Sequence, residues 1–271
     1  MTKYFKEFIS FLKTVIRHRY VILQLTKRDF QTMYLASYIG LPWAFIQPAV
    51  TILVIWFAVS VGLRAGPTES GIPYGPFLLM GLVPWFFISS AIIGATNSLM
   101  EFSYLIKKVN FRPSIIPIIK LLTALVIHLF FILILFIFAA AYGFRPSLYW
   151  LQLPYYLFAT LVLVLGISWL TSSIMVFVRD VGQIVGVLIQ LLFWATPLIW
   201  HHSLLEGNWR YMAYLNPFFY ITNGYRETLF NQAWFFQYPG LTLYFWGVTG
   251  FFFVCGAMVF ARLSPHYADV L

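Results

Sequence analysis

Residues that could perform chemistry are few in this chain. His201 and His202 precede Glu206, a combination that can bind a metal ion, but adjacent histidines on a helix point in different directions. His128 is the titratable side chain deepest within an apolar run, where a histidine is more often a hydrogen-bonded packing residue than a proton relay. Nothing in the sequence resembles a nucleophile beside a positioned base. We therefore expect no metal site and no catalytic residues.

Energy-coupling motifs are also missing. No glycine is followed by lysine, so the phosphate-binding loop of ATPases is absent. No apolar run carries a pair of ionisable residues, which argues against coupling to protons or sodium. We expect a transport subunit that is not itself an enzyme and holds no cofactor. If transport is active, the ATP and magnesium are bound by a partner.

Long apolar segments make up most of this chain. The composition, 61% hydrophobic and 9% charged, excludes an ordinary soluble domain. About 20 apolar residues of helix cross a bilayer core, and only helices or closed barrels satisfy their backbone in lipid. The sequence predicts an all-α membrane protein with six transmembrane helices. Their uncharged runs are 38–63, 72–100, 121–144, 146–178, 181–200 and 228–261.

The basic residues predict the orientation of these helices. Most of the 17 Lys and Arg residues precede the first run or lie in alternate loops. Since cytoplasmic loops retain basic residues, both termini should be cytoplasmic in a multi-pass membrane protein. The N-terminus has no cleavable apolar core, and no compact basic region suggests nucleic acid. Cys255, the single cysteine, excludes a disulfide within one chain.

Two segments outside the six runs have amphipathic character. Phe5, Phe8, Ile9, Leu12, Val15 and Ile16 share one helical face, which predicts an interfacial helix over residues 1–36. A helix packed on the protein itself is the alternative. The aromatic stretch 201–238 predicts two short re-entrant helices between spans five and six, near 204–215 and 217–231. We expect one domain, 1–271, with its six-span bundle over 38–262.

Aromatic residues suggest a passage for sugars. Tyr38, Phe45, Ile52 and Val59 follow one another at intervals of seven in span one. Aromatic faces stack on sugar rings, and their hydroxyl and N–H groups bond to sugar hydroxyls. The alternative is a set of lipid-facing and packing side chains. The predicted path residues are Tyr34, Tyr38, Trp43, Phe45, Trp56, Trp194 and Trp200.

The largest internal loop, 101–114, is the best candidate for contact with a cytoplasmic partner. Aromatic and apolar side chains there could fill a pocket while basic residues orient the contact. The alternative is an ordinary basic cytoplasmic loop. The predicted docking residues are Tyr104, Leu105, Lys107, Lys108, Phe111 and Arg112.

Several short segments together resemble ABC-2 type polysaccharide export permeases. They include Arg28-Asp29-Phe30, residues 34–43, Gln47-Pro48 and residues 81–87, with 105–113 resembling the loop that docks on the ATPase. Arg179-Asp180, residues 196–200, Asn216-Pro217 and Tyr225-Arg226 are similar to later signatures of the family. Residues 147–155 most resemble teichoic-acid exporters of Gram-positive bacteria. The loop departs from the family by placing Arg112 between Phe111 and Pro113.

The resemblance implies a homodimer with two copies of a nucleotide-binding subunit. It implies a path between protomers, lined mainly by spans one and five, through which a lipid-linked polymer moves outward. The coupling helix would be 104–112, and Asn216, Pro217, Tyr225 and Arg226 would belong to the exit segment. Wall teichoic acid is the expected cargo, with O-antigen, capsule or a small drug as alternatives. A membrane-embedded transferase and a passive channel are the rivals from other classes.

Overall fold

The computed structural model describes residues 13–35, 38–62, 64, 66, 71–108, 112–204 and 207–271. Within these ranges the chain is helical and has no strand, which confirms the predicted all-α class. The helices are α1 (Arg19–Leu35), α2 (Trp43–Phe57), α3 (Tyr74–Glu101), α4 (Ser103–Lys108), α5 (Ile116–Ala141), α6 (Leu153–Met175), α7 (Val181–Ala195), α8 (Trp209–Leu215), α9 (Pro217–Arg226), α10 (Pro239–Leu263) and α11 (Tyr267–Val270). Helical turns of the 3₁₀ or π type extend several of them.

Five helical segments of the described chain are long and apolar enough to cross a membrane. They are Trp43–Gly62, Tyr74–Glu101, Pro113–Ala141, Leu148–Met175 and Pro239–Val270. Continuous apolar runs of this length satisfy their backbone internally as helices, which is the requirement that lipid imposes. The chain is therefore a multi-pass membrane protein.

The fifth predicted run forms a shorter helix than the others. Helix α7 has 15 residues and ends at Ala195. At about 1.5 Å per residue it is roughly 22 Å long, less than the bilayer core of about 30 Å. It ends because Thr196 precedes Pro197, which disfavours helical backbone, and Thr196 is extended at ψ 133°. The count of six spans stays a prediction.

Helix α3 lies at the centre of the bundle. Its residues Leu78, Leu82 and Ile88 are completely buried, and most of its other side chains are buried as well. One face of its second half, with Ser90 and Ile93, is exposed. The helix contacts α2, α5, α6, α7 and α9, so α3 is the element against which the others pack.

Helices α6 and α10 approach each other at two glycines. A Cβ placed on Gly256 would lie 2.1 Å from the carbonyl oxygen of Gly166. One placed on Gly166 would lie 2.6 Å from the backbone nitrogen of Phe253. Small residues let membrane helices gain dispersion energy through close backbone approach.

Both ends of the described chain meet at one end of the bundle. They share a cluster of buried side chains, here called the terminal cluster, formed by Ile22, Leu99, Phe102, Ile115, Ile116, Ile119, Trp169, Val176, Phe260 and Tyr267. Val15 packs against this cluster, whereas Ile16 is exposed. Phe5, Phe8, Ile9 and Leu12, from the predicted interfacial face, lie outside the described residues.

Candidate functional site

Helices α2 and α7 present apolar surfaces that nothing in the described chain covers. Ala44 and Ile52 are the buried residues of α2, and Val185 and Ile189 are those of α7. The exposed apolar residues include Val50, Leu53, Val54, Trp56 and Phe57 on α2, and Ile184, Val187, Leu188, Leu191 and Trp194 on α7. These faces therefore meet lipid, a partner chain or a passing ligand.

Polar residues lie within these exposed surfaces. Gln47 of α2 and Gln183 and Gln190 of α7 are exposed. Thr51, one turn after Gln47, donates its hydroxyl to the Gln47 carbonyl at 2.9 Å. A glutamine amide facing hydrocarbon leaves donors and acceptors unsatisfied at a cost of about 1–3 kcal/mol. These positions favour water or another polar molecule over lipid tails.

The predicted path aromatics separate into two groups in the structure. Tyr38, Trp43, Trp56 and Trp194 are exposed, and the last three lie on α2 and α7. Phe45 packs on Phe130, with ring centroids 4.2 Å apart. Trp200 is half-buried, with its indole N–H 3.3 Å from the Trp194 carbonyl. The side chain of Tyr34 lies outside the described residues.

Arg226 fixes the segment that follows α7. Its guanidinium is buried and donates to the carbonyl oxygens of Pro197 at 2.7 Å and Leu198 at 2.8 Å. It also lies over the Phe77 ring, 3.7 Å from the centroid. These contacts supply hydrogen bonds to backbone that has left the helix, and a cation–π contact stabilises the charge.

Gly81 of α3 makes room for this contact. A Cβ there would lie 2.6 Å from Nη2 of Arg226 and 2.9 Å from the Leu198 carbonyl oxygen. No side chain fits between α3 and the Arg226 clamp, by which we mean Arg226 with the carbonyls of Pro197 and Leu198. Gly81 is therefore a structural requirement of this region.

Asn216 connects the start of α9 to the end of α7. Its side-chain oxygen accepts from the Phe218 backbone N–H at 3.0 Å, which caps the helix, and its amide donates to Thr196 Oγ1 at 2.7 Å. Pro217 occupies the first turn of α9, where the missing N–H costs nothing. The two predicted short helices thus occur as α8 and α9, which separate at Asn216.

The two short helices differ in burial. Trp209, Tyr211 and Met212 of α8 are exposed, whereas Phe219, Ile221 and Tyr225 of α9 are almost completely buried. Helix α9 packs against α3, α6 and α10, so it belongs to the core of the bundle.

Further hydrogen bonds hold α9 and the turn that follows it. The Tyr225 hydroxyl lies 2.9 Å from Nε2 of His128, which confirms that this histidine makes a hydrogen bond inside the core. Gln152 donates to the Ala233 carbonyl at 2.7 Å and accepts from the Phe235 N–H at 3.0 Å. One buried side-chain amide therefore replaces a backbone partner for the turn.

A small polar group lies beside this turn. Asn223 donates to Oε1 of Glu227 at 3.1 Å. The Glu227 carboxylate, together with partial burial, raises the pKa of Tyr238. The shift is away from neutral pH, so this phenol remains a hydrogen-bond donor there, as an ordinary tyrosine does.

The predicted docking loop forms helix α4. Tyr104 and Lys107 are exposed, while Leu105 and Ile106 pack on the terminal cluster. Arg112 donates to Thr14 Oγ1 at 2.8 Å, which connects the loop to the N-terminal region. Phe111 and the side chain of Lys108 lie outside the described residues. Leu105 and Ile106 therefore contribute to packing within the protein, and the docking role of this loop stays a prediction.

Comparison with known proteins gives these elements a family. The sequence model of the ABC-2 type transporter family matches residues 20–230, more than half of the chain. The chain belongs to the ABC-2 type transporter family. The matched region runs from α1 through α9, so it contains α2, α4, α7 and the Arg226 clamp. As a family member, the protein is a membrane component of a transporter.

Curated relatives extend this likeness over nearly the whole chain. An O-antigen export system permease protein RfbA of Klebsiella pneumoniae is 28% identical over 93% of this chain and 95% of its own length. A second protein of that name and organism is 27% identical over 93% of this chain and 95% of its own length. The RfbA of Myxococcus xanthus is 25% identical over 83% of this chain and 85% of its own length.

Sequence reasoning missed several residues of this ABC-2 chain. Lys120, Asp29 and Thr123 form a buried polar group between α1 and α5, although the residues were visible as isolated polar side chains near apolar runs. Gln152 belongs to no recognisable sequence motif, so its role could not be predicted. In the described ranges no three His, Cys, Asp or Glu residues are grouped as a metal site requires, and Glu206 lies outside them.

Proposed function

We propose that this chain is the permease subunit of an ATP-driven exporter for a lipid-linked cell-surface polysaccharide. The observation that carries the proposal is the likeness to permeases named for O-antigen export, which covers 93% of this chain in the first relative. The exposed glutamines and tryptophans of α2 and α7 support it, since sugars offer hydroxyls for amides and apolar ring faces for indoles.

The polymer would pass between two copies of the chain. Two membrane-facing surfaces with polar residues, on α2 and α7, can face their symmetry equivalents in a homodimer and enclose a hydrated path. The lipid anchor of the cargo would stay in the surrounding membrane. In this arrangement the buried α9 and the Arg226 clamp support the outer end of the path.

The energy would come from two copies of a nucleotide-binding subunit on the cytoplasmic face. Tyr104 and Lys107 of α4 support this, since they are exposed next to a buried cluster that can transmit force. Both termini would then be cytoplasmic, and the protein would reside in the bacterial plasma membrane. This subunit would bind the ATP and magnesium, and the permease would contribute the path.

The relatives' names favour an O-antigen-type glycan as cargo. The resemblance of residues 147–155 to teichoic-acid exporters keeps a polyol-phosphate polymer as the second candidate. The two cargoes differ in charge, because teichoic acid carries a phosphate at each repeat and most O-antigen backbones do not. The exposed path residues of α2 and α7 are uncharged, which suits the neutral glycan better.

Reconstitution of the permease with its co-purified ATPase subunit tests the proposal. External ATP energises only the vesicles whose ATPase subunits face outward, and export in these vesicles moves cargo into the lumen. We therefore expect lipid-linked glycan to become protected from an external glycosidase on ATP addition, and not with an ATPase-inactive subunit. Preferential movement of a lipid-linked polyol phosphate would identify teichoic acid as the cargo. Glycan movement without the ATPase would indicate a channel, and chemical alteration of the lipid-linked glycan would indicate a transferase.

A further inference from the structure

One buried cation joins three elements at the end of the bundle that carries the terminal cluster. Lys120 lies one turn into α5, and its side chain is 6% exposed. Its Nζ lies 2.8 Å from Oδ1 of Asp29 on α1 and 2.5 Å from Oε2 of Glu101, the last residue of α3. Thr123 donates to the other Asp29 oxygen at 2.8 Å. A single ammonium group therefore holds two carboxylates from different helices.

The two carboxylates differ in their exposure to solvent. The Asp29 side chain is 5% exposed, and that of Glu101 is 49% exposed. Separating the buried pair would leave an uncompensated charge in the protein interior, which is strongly unfavourable. An ion pair with an exposed partner contributes little stability, because water can replace that partner. The Asp29–Lys120 contact is therefore permanent, whereas the Glu101–Lys120 contact can open.

The contact that can open lies next to the predicted docking helix. Phe102 follows Glu101 directly, is buried in the terminal cluster, and lies 5.4 Å from Lys120 Nζ at its ring centroid. Helix α4 begins at Ser103. A displacement of α4 therefore acts on Glu101 and Phe102 before it reaches any other part of α3.

We propose that Lys120 is a positioning residue that transmits displacement of α4 to α1 and α5. A displacement of α4 would move the Glu101 carboxylate, and this movement would shift Lys120. Because Lys120 is paired with Asp29, the shift would then reach α1. The proposal rests on the proposed function, because it requires an ATPase subunit that moves α4. A merely structural salt bridge would stabilise the fold without changing the export obtained per ATP hydrolysed.

Glu101→Gln distinguishes transmission from a purely structural role, because it leaves the Asp29–Lys120 pair intact. We expect a melting temperature and ATPase association equal to those of the unaltered complex, and a fall of at least about fivefold in glycan exported per ATP. Lys120→Arg should keep export, since a guanidinium can hold both carboxylates. Lys120→Met should lose export and also stability. Asp269→Asn, which removes an exposed charge of α11, is the control.

A fluorescent probe on α1 tests whether a displacement of α4 reaches α1, without any measurement of cargo movement. In a Cys255→Ser background, Leu23→Cys carries an environment-sensitive fluorophore on the exposed face of α1. We expect an ATP-dependent signal in the complex, its loss in Glu101→Gln, and its retention in Asp269→Asn. No ATP response in the unaltered complex, or an unchanged response and export ratio in Glu101→Gln, overturns the proposal. An ATP response without glycan movement overturns the cargo assignment and leaves transmission standing.

Discussion

At the scale of single residues, Arg226 combines several interactions in one buried side chain. One buried guanidinium satisfies two backbone carbonyls and lies on the face of Phe77. The carbonyls belong to residues 28 and 29 positions earlier in the chain, so no local pattern announces the contact. The Tyr225-Arg226 signature was visible in the sequence. Its hydrogen-bond partners, the carbonyls of Pro197 and Leu198, could not be predicted because they depend on where α7 ends.

Replacing Arg226 should destabilise the protein. Arg226→Ala leaves the carbonyls of Pro197 and Leu198 without donors, each at a cost of about 1–3 kcal/mol. We expect a lower melting temperature in detergent and a smaller loss for Arg226→Lys, which can satisfy one carbonyl. Arg145→Ala, at an exposed arginine, is the control. An Arg226→Ala protein as stable as the control would show that water replaces the guanidinium.

At the scale of elements, the backbone contact between α6 and α10 sets how closely these helices pack. The sequence predicted both as membrane spans from length and hydropathy. It did not identify Gly166 and Gly256 as the contact, because Gly166 is a lone glycine in α6 and glycines also lie at exposed positions of α10. Only the rotation of each helix about its axis, which tertiary packing determines, distinguishes the two kinds of glycine.

Adding a single methyl group at Gly256 should force α6 and α10 apart. In Gly256→Ala the new Cβ overlaps the Gly166 carbonyl, a backbone atom that cannot rotate away. We expect a loss of about 1–3 kcal/mol, seen as lower yield of folded protein and lower melting temperature. Gly250→Ala lies on the same helix, where a Cβ meets no described atom within 4 Å, and should be neutral. Equal behaviour of the two variants would contradict the close contact.

Helix α4 should affect coupling without affecting the fold. Tyr104→Ala and Lys107→Ala alter exposed side chains, where substitutions usually change stability by about 0.5 kcal/mol or less. We expect normal membrane insertion and melting temperature, with loss of ATPase binding and of glycan export. The comparison is Arg262→Ala, an exposed basic residue at the same end of the bundle. Full export by the Tyr104 and Lys107 variants would remove the docking assignment.

At the scale of the whole molecule, the exposed surfaces are unequal in character. Most exposed side chains of α10, including Leu243, Phe251 and Val254, are apolar and suit lipid, and the exposed Arg262 lies in its last turn. Those of α7 include two glutamines. The difference marks α7, with α2, as the surface on which two copies would meet.

Cysteine cross-linking in membranes tests this arrangement. In a Cys255→Ser background, Val187→Cys or Leu188→Cys should yield a dimer with a short thiol cross-linker, since equivalent α7 residues approach the symmetry axis. Leu243→Cys and Phe251→Cys, which are equally exposed on α10, should remain monomeric. Cross-linking through α10 in place of α7 would relocate the interface.

The sequence predicted the helical class, most of the spans and the two short helices, because apolar run length and proline position determine them directly. It also indicated Arg28-Asp29-Phe30 through resemblance. It could not show that Asp29 pairs with Lys120, since these residues are 91 positions apart in the chain. Nor could it show that Leu105 and Ile106 face the protein, because the short α4 takes its orientation from the terminal cluster.

The enclosure of α3 limits where the protein can deform. Tilting α3 would disrupt its tight packing against α5, α6, α7 and α9, and interiors packed to that density respond in discrete steps or not at all. Helices α2 and α7 bury few residues, so moving them would break few packing contacts with the rest of the protein. Any widening that admits a bulky polymer should therefore occur at the rim of each protomer, with α3 as the stationary reference throughout the cycle.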